Sequence, residues 1–369
     1  MSLKIFHTSD LHLGMKFAGY PEVQAELSEA RFKTLENLVS LANREKCDLF
    51  IIAGDLFDRV SVAKRDILRA SQVLQDFQGL LVVVLPGNHD FISGDKTDLW
   101  SHFRDSAPAN LLILSEKRIY PLQHYDLDVH LYAAPCNAKH SGENAISWIK
   151  ETPKDRNVSY HIGIAHGSLE GFSPDFDQRF YPMTLSELHK CGVNLWLLGH
   201  THAQYPDKPG MEDRIFYPGT PEPDGFDCQH EGKAWILELD VDRKIHPVSI
   251  STGTYKFLHD EVEVSSSSDL ELLKKKYPSK DYKKSLLKLK LRGRLPRDEY
   301  ESLSKIIKSL EKELFHLILN DDEVTEEITL ETINLEFTEG SFPHRLLTAV
   351  AHDSEALQLA YDLAREVRK

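Results

Sequence analysis

Thiol chemistry is nearly absent from this chain. Its 369 residues include four cysteines: Cys47, Cys136, Cys191 and Cys228, with no Cys-x-x-Cys pair. That spacing argues against a thiolate zinc site or a disulfide framework, and it fits a reducing, cytoplasmic setting. Cys47 and Cys136 read as small buried apolar residues. Long apolar runs are missing too. No stretch of about 18 residues could span a bilayer, so no membrane partner is expected. Met1-Ser2-Leu3-Lys4 leads straight into a strand and leaves no room for a signal peptide. Positive charge is also short, with 44 Lys and Arg against 58 Asp and Glu, a formal net charge of −14. It is concentrated in one block. Lys274 to Arg297 holds eleven Lys/Arg and a single acid, Asp281. A basic block inside an acidic chain is a candidate phosphate-backbone surface, or else a solvated lysine-rich face.

What the chain does have is a repeated construction. Leu80-Leu81-Val82-Val83-Val84-Leu85 suits a strand buried on both faces. Pro86 and Gly87 stop it, and Asn88, His89 and Asp90 follow at once. Polar groups at the carboxyl end of a buried strand sit where α/β folds place their ligands. The same pattern recurs at Leu3–His7 before Asp10 and His12, at Asp48–Ala53 before Asp55 and Asp58, at Tyr160–Ala165 before His166, and at Asn194–Leu198 before His200 and His202. Oxygen and imidazole donors without thiolates suit manganese, iron or zinc.

Asp10-x-His12, Gly54-Asp55-x-x-Asp58, Gly87-Asn88-His89-Asp90, His166 and Gly199-His200-x-His202 resemble, in order and spacing, the five motifs of the calcineurin-like metallophosphoesterases. The resemblance covers roughly residues 1–255. Ser9-Asp10-Leu11-His12-Leu13-Gly14 and Tyr217-Pro218-Gly219-Thr220-Pro221-Glu222 look like the DNA-repair exonuclease branch, which contains the SbcD-type nuclease subunits. The fold so implied is α/β, a β-sandwich flanked by helices, with a smaller C-terminal α+β cap domain.

The resemblance also implies a site. Asp10, His12 and His202 would hold one divalent ion, Asn88, His166 and His200 a second, and Asp55 would bridge them. Mn2+ is the first choice, with Fe2+, Zn2+ and Mg2+ as alternatives. Two such ions clamp the attacking and leaving oxygens of an in-line displacement and acidify water toward a pKa of about 7. No Ser or Cys nucleophile is then needed. His89 would act at the leaving group as acid or stabiliser, with Asp58 orienting its ring. Arg59 is also reminiscent of protein phosphatases, but Val60 and Asp90 depart from their pattern. His7, His161, His230 and His246 read as structural or surface residues.

Along the chain, helices are expected over 21–45, 64–77 and 143–150, and strands over 111–114, 129–134, 234–239 and 245–251. Composition shifts at 256–268, ending in four serines, and sets a boundary between a catalytic domain 1–257 and a DNA-binding domain 258–369. Ser268 is expected to cap a helix starting at Asp269. Leu287–Arg292 alternates as a strand with its basic side chains on one face. A helix over 297–314, further strand around 328–337 and one last helix over 343–367 complete the cap. That last helix carries an apolar stripe, Leu346, Leu347, Val350, Leu357, Ala360, Tyr361 and Ala364, with no second helix apparent beside it.

Three functions compete: a DNA exonuclease or endonuclease in repair, a phosphoesterase for nucleotides or other small diesters, and a DNA-end-binding scaffold. The basic block favours the first and third, and the complete ligand set favours the first and second. The nuclease is the reading that both support. Its implied partners are DNA, a second copy in a homodimer and an SbcC-type SMC-like ATPase.

Overall fold

The computed structural model describes residues 2–94, 98–228, 230–277 and 282–367, and falls into two units, Met1–Lys256 and Phe257–Lys369. In the first unit, strands and helices alternate as β1 (Leu3–Thr8), α1 (Gln24–Arg44), β2 (Leu49–Ala53), α2 (Lys64–Gln75), β3 (Leu81–Leu85), α3 (Leu99–Ser106) and β4 (Leu111–Ile113). A second series follows, with β5 (Ile119–Pro121), β6 (Val129–Ala134), α4 (Ser147–Glu151), β7 (Tyr160–His166), α5 (Leu185–Lys190), β8 (Leu195–Gly199) and β9 (Ile215–Phe216). Two more strands, β10 (Lys233–Leu239) and β11 (Ile245–Ser251), close the unit. The helix expected over 143–150 is shortened because Asn144 forms a turn, its side-chain oxygen accepting from the Ile146 amide at 3.1 Å.

The strands form two sheets, ordered β11-β10-β1-β2-β3-β4 and β5-β6-β7-β8-β9. Alternate side chains of each strand serve different cores. Ile5, Ile51 and Val83 face inward and pack with Leu131, Ile162 and Leu197 of the other sheet. Phe6, Phe50 and Val84 point outward onto Leu35, Leu38 and Leu74 of α1 and α2. Tyr132, Trp196 and Leu198 meet Ile149 and Leu188 of α4 and α5. The result is an α/β sandwich with helices on both outer faces, in which every residue of β2, β3, β7 and β8 is buried. β1, β2 and β3 run parallel, as do β7 and β8. Their carboxyl ends, which carry the motif residues, therefore line up along an edge of each sheet.

The second unit has a three-stranded sheet, β12 (Lys256–Val264), β13 (Ser285–Leu295) and β14 (His316–Glu326), ordered β12-β13-β14. Helices α6 (Ser267–Lys276) and α7 (Arg297–Glu313) share a core with it, Leu270, Leu273, Leu303 and Ile306 packing with Leu287, Leu289 and Leu291. Ser266, rather than Ser268, caps α6, its hydroxyl accepting from the Asp269 amide. Part of the basic block, residues 278–281, lies outside the described residues. β13 alternates as expected, but its neighbours are acidic. Lys290 pairs with Glu323 on β14 at 2.6 Å, and Arg292 lies 4.0 Å from Glu261 on β12. Two of the basic side chains in this run thus meet acids across the sheet.

The end of the chain departs furthest from expectation. Residues 330–336 are a helix, α8 (Leu330–Glu336), not a strand. Thr329 caps it by accepting from the Thr332 amide, and the apparent alternation fails because Ile333 and Phe337 are buried while Leu335 is exposed. The single final helix is two, α9 (Phe342–Ala349) and α10 (Ser354–Glu366). Asp353 separates them, its carboxylate accepting from the Glu355 and Ala356 amides at 3.1 Å. Leu347, Leu357 and Tyr361 of the expected stripe pack with Ile333 and Phe337 into a small core. The stripe is therefore mostly the inside of a three-helix cluster. No helix among the described residues is long and apolar enough to cross a membrane.

One buried contact in the first unit gives a direct test of the sandwich. Gly163, in mid-β7, pairs with Trp196 on β8. A Cβ there would lie 2.4 Å from the indole ring, and the ring is pinned by its N–H donating to the Leu188 carbonyl at 3.0 Å. Gly163→Ala should destabilise the chain by about 1–3 kcal/mol through overpacking, read as a lower urea midpoint. An unchanged midpoint would mean that Trp196 can swing away.

Candidate metal centre

The motif residues leave their strands on backbone that L-residues rarely adopt. Asp10, His12, Asp55 and His200 have φ of 56°, 46°, 52° and 101°. Left-handed conformations at non-glycine residues cost on the order of 1–3 kcal/mol each and gather at functional sites. Backbone bonds hold them there. The Asp10 amide donates to the Gly54 carbonyl at 3.1 Å, and the His12 amide to the Asp55 carbonyl at 3.0 Å. The His200 amide donates to the Asp10 carboxylate at 3.1 Å. Gly54 has φ of +98°, and a Cβ on it would lie 2.0 Å from His166 Nδ1. Only glycine fits.

All seven expected ligands converge. His166 Nε2 lies 3.0 Å from Asn88 Oδ1 and 3.2 Å from Asp55 Oδ2. His200 Nδ1 is 3.0 Å from the same Asn88 oxygen. On the other side, His12 Nε2 is 3.3 Å from His202 Nε2 and 3.9 Å from Asp55 Oδ2, and His202 Nε2 is 3.9 Å from Asp10 Oδ1. The ligand atoms of Asp10, His12 and His202, and likewise those of Asp10, Asp55 and His166, lie within 4.8 Å of one another. Asp55 Oδ2 faces both halves. His166 donates Nδ1–H to the Ala53 carbonyl at 2.8 Å, so once its Nε2 proton is shed the ring aims a lone pair at two oxygens. Acceptors facing acceptors need a proton or a cation between them. The donor set, imidazoles and oxygens, suits divalent ions of the first transition row.

Charge reinforces this geometry. Burial alone depresses imidazoles, and it pushes His200 to about 3 and His12 well below its usual value. At His166 burial is outweighed by Asp55, and at His202 by Asp224, so each is raised to about 9. Burial also works against charge at Asp55, yet His166 and His12 hold its carboxyl below the usual carboxylate range. Asp10 is raised by burial.

His89 lies beside this cluster. Its ring is 4.7 Å, edge-on, from that of His12, and its amide donates to Asp55 Oδ1 at 2.8 Å. Distance alone also groups His89 with His12 and Asp55 as ligands. The expected pairing with the Asp58 carboxylate does not form. His89 Nδ1 is instead 3.0 Å from the Asp58 carbonyl, because the Asp58 carboxylate is taken by Arg59. Asp58 orients the ring through its main chain, leaving Nε2 for a proton or an ion.

Several neighbours have no role assigned from sequence alone, Asp90 lying within a motif and Asp224 and Arg31 outside any. Asp90 is buried, accepts from the Gly87 amide at 2.7 Å and the Phe57 amide at 3.0 Å, and is pushed up to about 8 by burial. It ties the second motif to the third. Asp224 lies 3.3 Å from His202 Nδ1. Arg31, on α1, lies 3.4 Å from Asp224 and donates to the Leu11 carbonyl at 2.8 Å. An acid in a Pro/Gly-rich loop and an arginine in mid-helix look like solvated surface in sequence. His230 packs against the His202 carbonyl.

A family model described as calcineurin-like phosphoesterase matches residues 3–204. YhaO of Bacillus subtilis (strain 168), named an uncharacterized metallophosphoesterase, is 28% identical over 235 residues, covering 59% of this chain and 53% of that protein. The DNA double-strand break repair protein Mre11 of Methanopyrus kandleri is 22% identical over 244 residues, covering 60% and 49%. The chain spans about half the length of the curated relatives it matches. Among solved structures, TT1561 of Thermus thermophilus aligns with a TM-score of 0.39 at 14% identity, over 67% of this chain and 99% of that one.

Metal ligands must shed their protons. In the metal-free protein near neutral pH, His166 and His202 carry them, since both are raised to about 9. Calorimetric titration with Mn2+ should therefore release protons, visible as a dependence on buffer ionisation enthalpy. Affinity should rise with pH toward about 9 and then level. Asp55→Asn removes the carboxylate shared by both halves, and should lower the ions bound per chain while far-UV circular dichroism stays native. Full occupancy in that variant would refute the bridging position.

Proposed function

The chain belongs to the calcineurin-like phosphoesterase family, and from that premise we propose that it is a metal-dependent phosphodiester hydrolase whose substrate is DNA. The observation that carries the hydrolase is the cluster of seven inward-facing side chains, arranged in two halves about Asp55. Asp10, His12 and His202 would hold one ion, Asn88, His166 and His200 the other, and Asp55 both. Mn2+ suits these nitrogen and oxygen donors best, with Fe2+, Zn2+ and Mg2+ as alternatives. Bound there, such ions supply positive charge to a phosphodiester and acidify water.

The remaining work falls to the chain itself. His89, steered by the Asp58 carbonyl, presents Nε2 toward the cluster, where a protonated ring can deliver its proton to the departing oxygen. Arg59 holds the Asp58 carboxylate, and the ring meets the Asp58 main chain instead. The Cys136 thiol, near Asp55 and Asp90, is pushed well above its usual value by burial and makes no nucleophile.

DNA as substrate is supported by the similarity to Mre11 and by the outward basic residues of β13. The acids of β12 and β14 that pair with those residues favour a second reading, a small phosphodiester or nucleotide. An SbcC-type ATPase partner and a homodimer belong to the nuclease reading. With Leu347, Leu357 and Tyr361 committed to their own core, such an ATPase would meet Leu359 and Leu363 of α10, which are exposed.

Digestion of end-labelled single- and double-stranded DNA with Mn2+ or Mg2+, run beside bis-p-nitrophenyl phosphate, separates the readings. Cleavage of DNA supports the nuclease, turnover of the small diester alone supports the second reading, and neither would reject both. His89→Ala should keep both ions yet lose turnover on the order of 10²–10⁴-fold. Loss of an ion in that variant would make His89 a ligand instead.

A further inference from the structure

We propose that Asp224 is a positioning residue for His202, and that Arg31 holds it in that role. The inference rests on the two-ion reading above. His202 is less enclosed than His12 and His166, the other acid-paired imidazoles of the cluster. Its side chain is 36% exposed, against 2% for His12 and 0% for His166. It also lies past the end of β8, on a loop, whereas His166 closes a fully buried strand. Packing alone does not fix such a ring. Something else must.

Asp224 supplies the constraint. Its Oδ2 stands 3.3 Å from His202 Nδ1, on the side of the ring away from the other ligands. Donating Nδ1–H to this carboxylate selects the tautomer whose Nε2 keeps its lone pair, and Nε2 is the atom facing His12 and Asp10. A carboxylate behind a ligating imidazole also makes the ring a stronger donor.

The carboxylate is itself held. Arg31 Nη2 lies 3.4 Å from Asp224 Oδ2, and the Arg31 side chain is only 1% exposed. Arg31 Nη1 donates to the carbonyl of Leu11, the residue between Asp10 and His12. One buried guanidinium therefore ties the peptide carrying two ligands to the acid behind the third. The segment bearing Asp224 is anchored as well. The Thr220 hydroxyl donates to the Asp10 carbonyl at 2.9 Å, and Glu222 accepts from the Thr34 hydroxyl at 2.6 Å and the Tyr255 amide at 2.8 Å. The other half of the centre is oriented by different groups, His166 by the Ala53 carbonyl and His200 through its amide to Asp10. The consequence is an asymmetry: Asp224 serves one ion position.

Calorimetric titration of the metal-free full chain with Mn2+ tests this, comparing wild type with Asp224→Asn, Asp224→Glu and, as control, the exposed Asp207→Asn. Asp224→Asn should weaken one of the two binding events by about 10–100-fold and spare the other. Asp224→Glu should restore part of the loss, and Asp207→Asn should match wild type. Should Asp224→Asn fail to fold, Asp224→Glu loaded with Co2+ carries the test, since a displaced His202 alters the visible bands of one ion only. Unchanged binding, or equal weakening of both events together with a lower melting temperature, would overturn the proposal. A wild type that binds no ion at all would overturn the two-ion reading itself, and this assignment with it.

Discussion

The centre depends on a hydrogen bond that links the carboxyl ends of two packed sheets. His166, at the end of β7, donates to the carbonyl of Ala53, at the end of β2, across 2.8 Å. That bond joins the outlets of both sheets, and it is possible because Gly54 offers no side chain to the approaching ring. From it the other placements follow. His166 reaches Asn88 and Asp55, β8 beside β7 delivers His200 to Asn88 and Asp10, and β1 beside β2 sets His12 against Asp55. A sandwich whose sheets met less closely here would scatter the same residues.

That closeness has an energetic side. Four ligand-bearing residues sit in left-handed backbone, and the facing acceptor atoms depend on the protons of His166 and His202, or on a cation, between them. A chain tolerates such a site only when the surrounding structure over-determines it. Here the surround is a core in which β2, β3, β7 and β8 are buried from end to end, together with Asp90 and Arg31 fastening the loops from behind. Stability resides in the strands, and strain is confined to the turns that leave them.

How much of this was legible in sequence follows from the range of the interactions. A strand buried on both faces declares itself locally, so Leu81–Leu85 and its counterparts were readable, as were the polar residues ending them. Asp224 and Arg31 were not, because their partners lie far away in sequence: Asp224 answers Arg31 across nearly two hundred residues. The run from Lys274 to Arg297 was legible only in part for the same reason. Its charge was counted along the chain, while Glu323 and Glu261 answer it across the sheet. Residues 330–336 failed differently. Ile333, Leu335 and Phe337 alternate, but Thr329 is a helix cap and only the pair four apart, Ile333 and Phe337, is buried.

The order of strands in the first sheet also sets a timetable. β1 lies between β2 and β10, and Leu3 pairs with Leu239. β1 thus waits for a strand made more than two hundred residues later, an interval of roughly 10–50 s at ribosomal rates of about 5–20 residues per second. His200, His202 and Asp224 emerge only near the end of that interval. Between the synthesis of Asn88 and that of His202 the nascent chain carries Asp10, His12, Asp55 and Asn88 without all of the histidines that complete the cluster. Assembly of the ligand cluster is therefore coupled to closure of a sheet of high contact order.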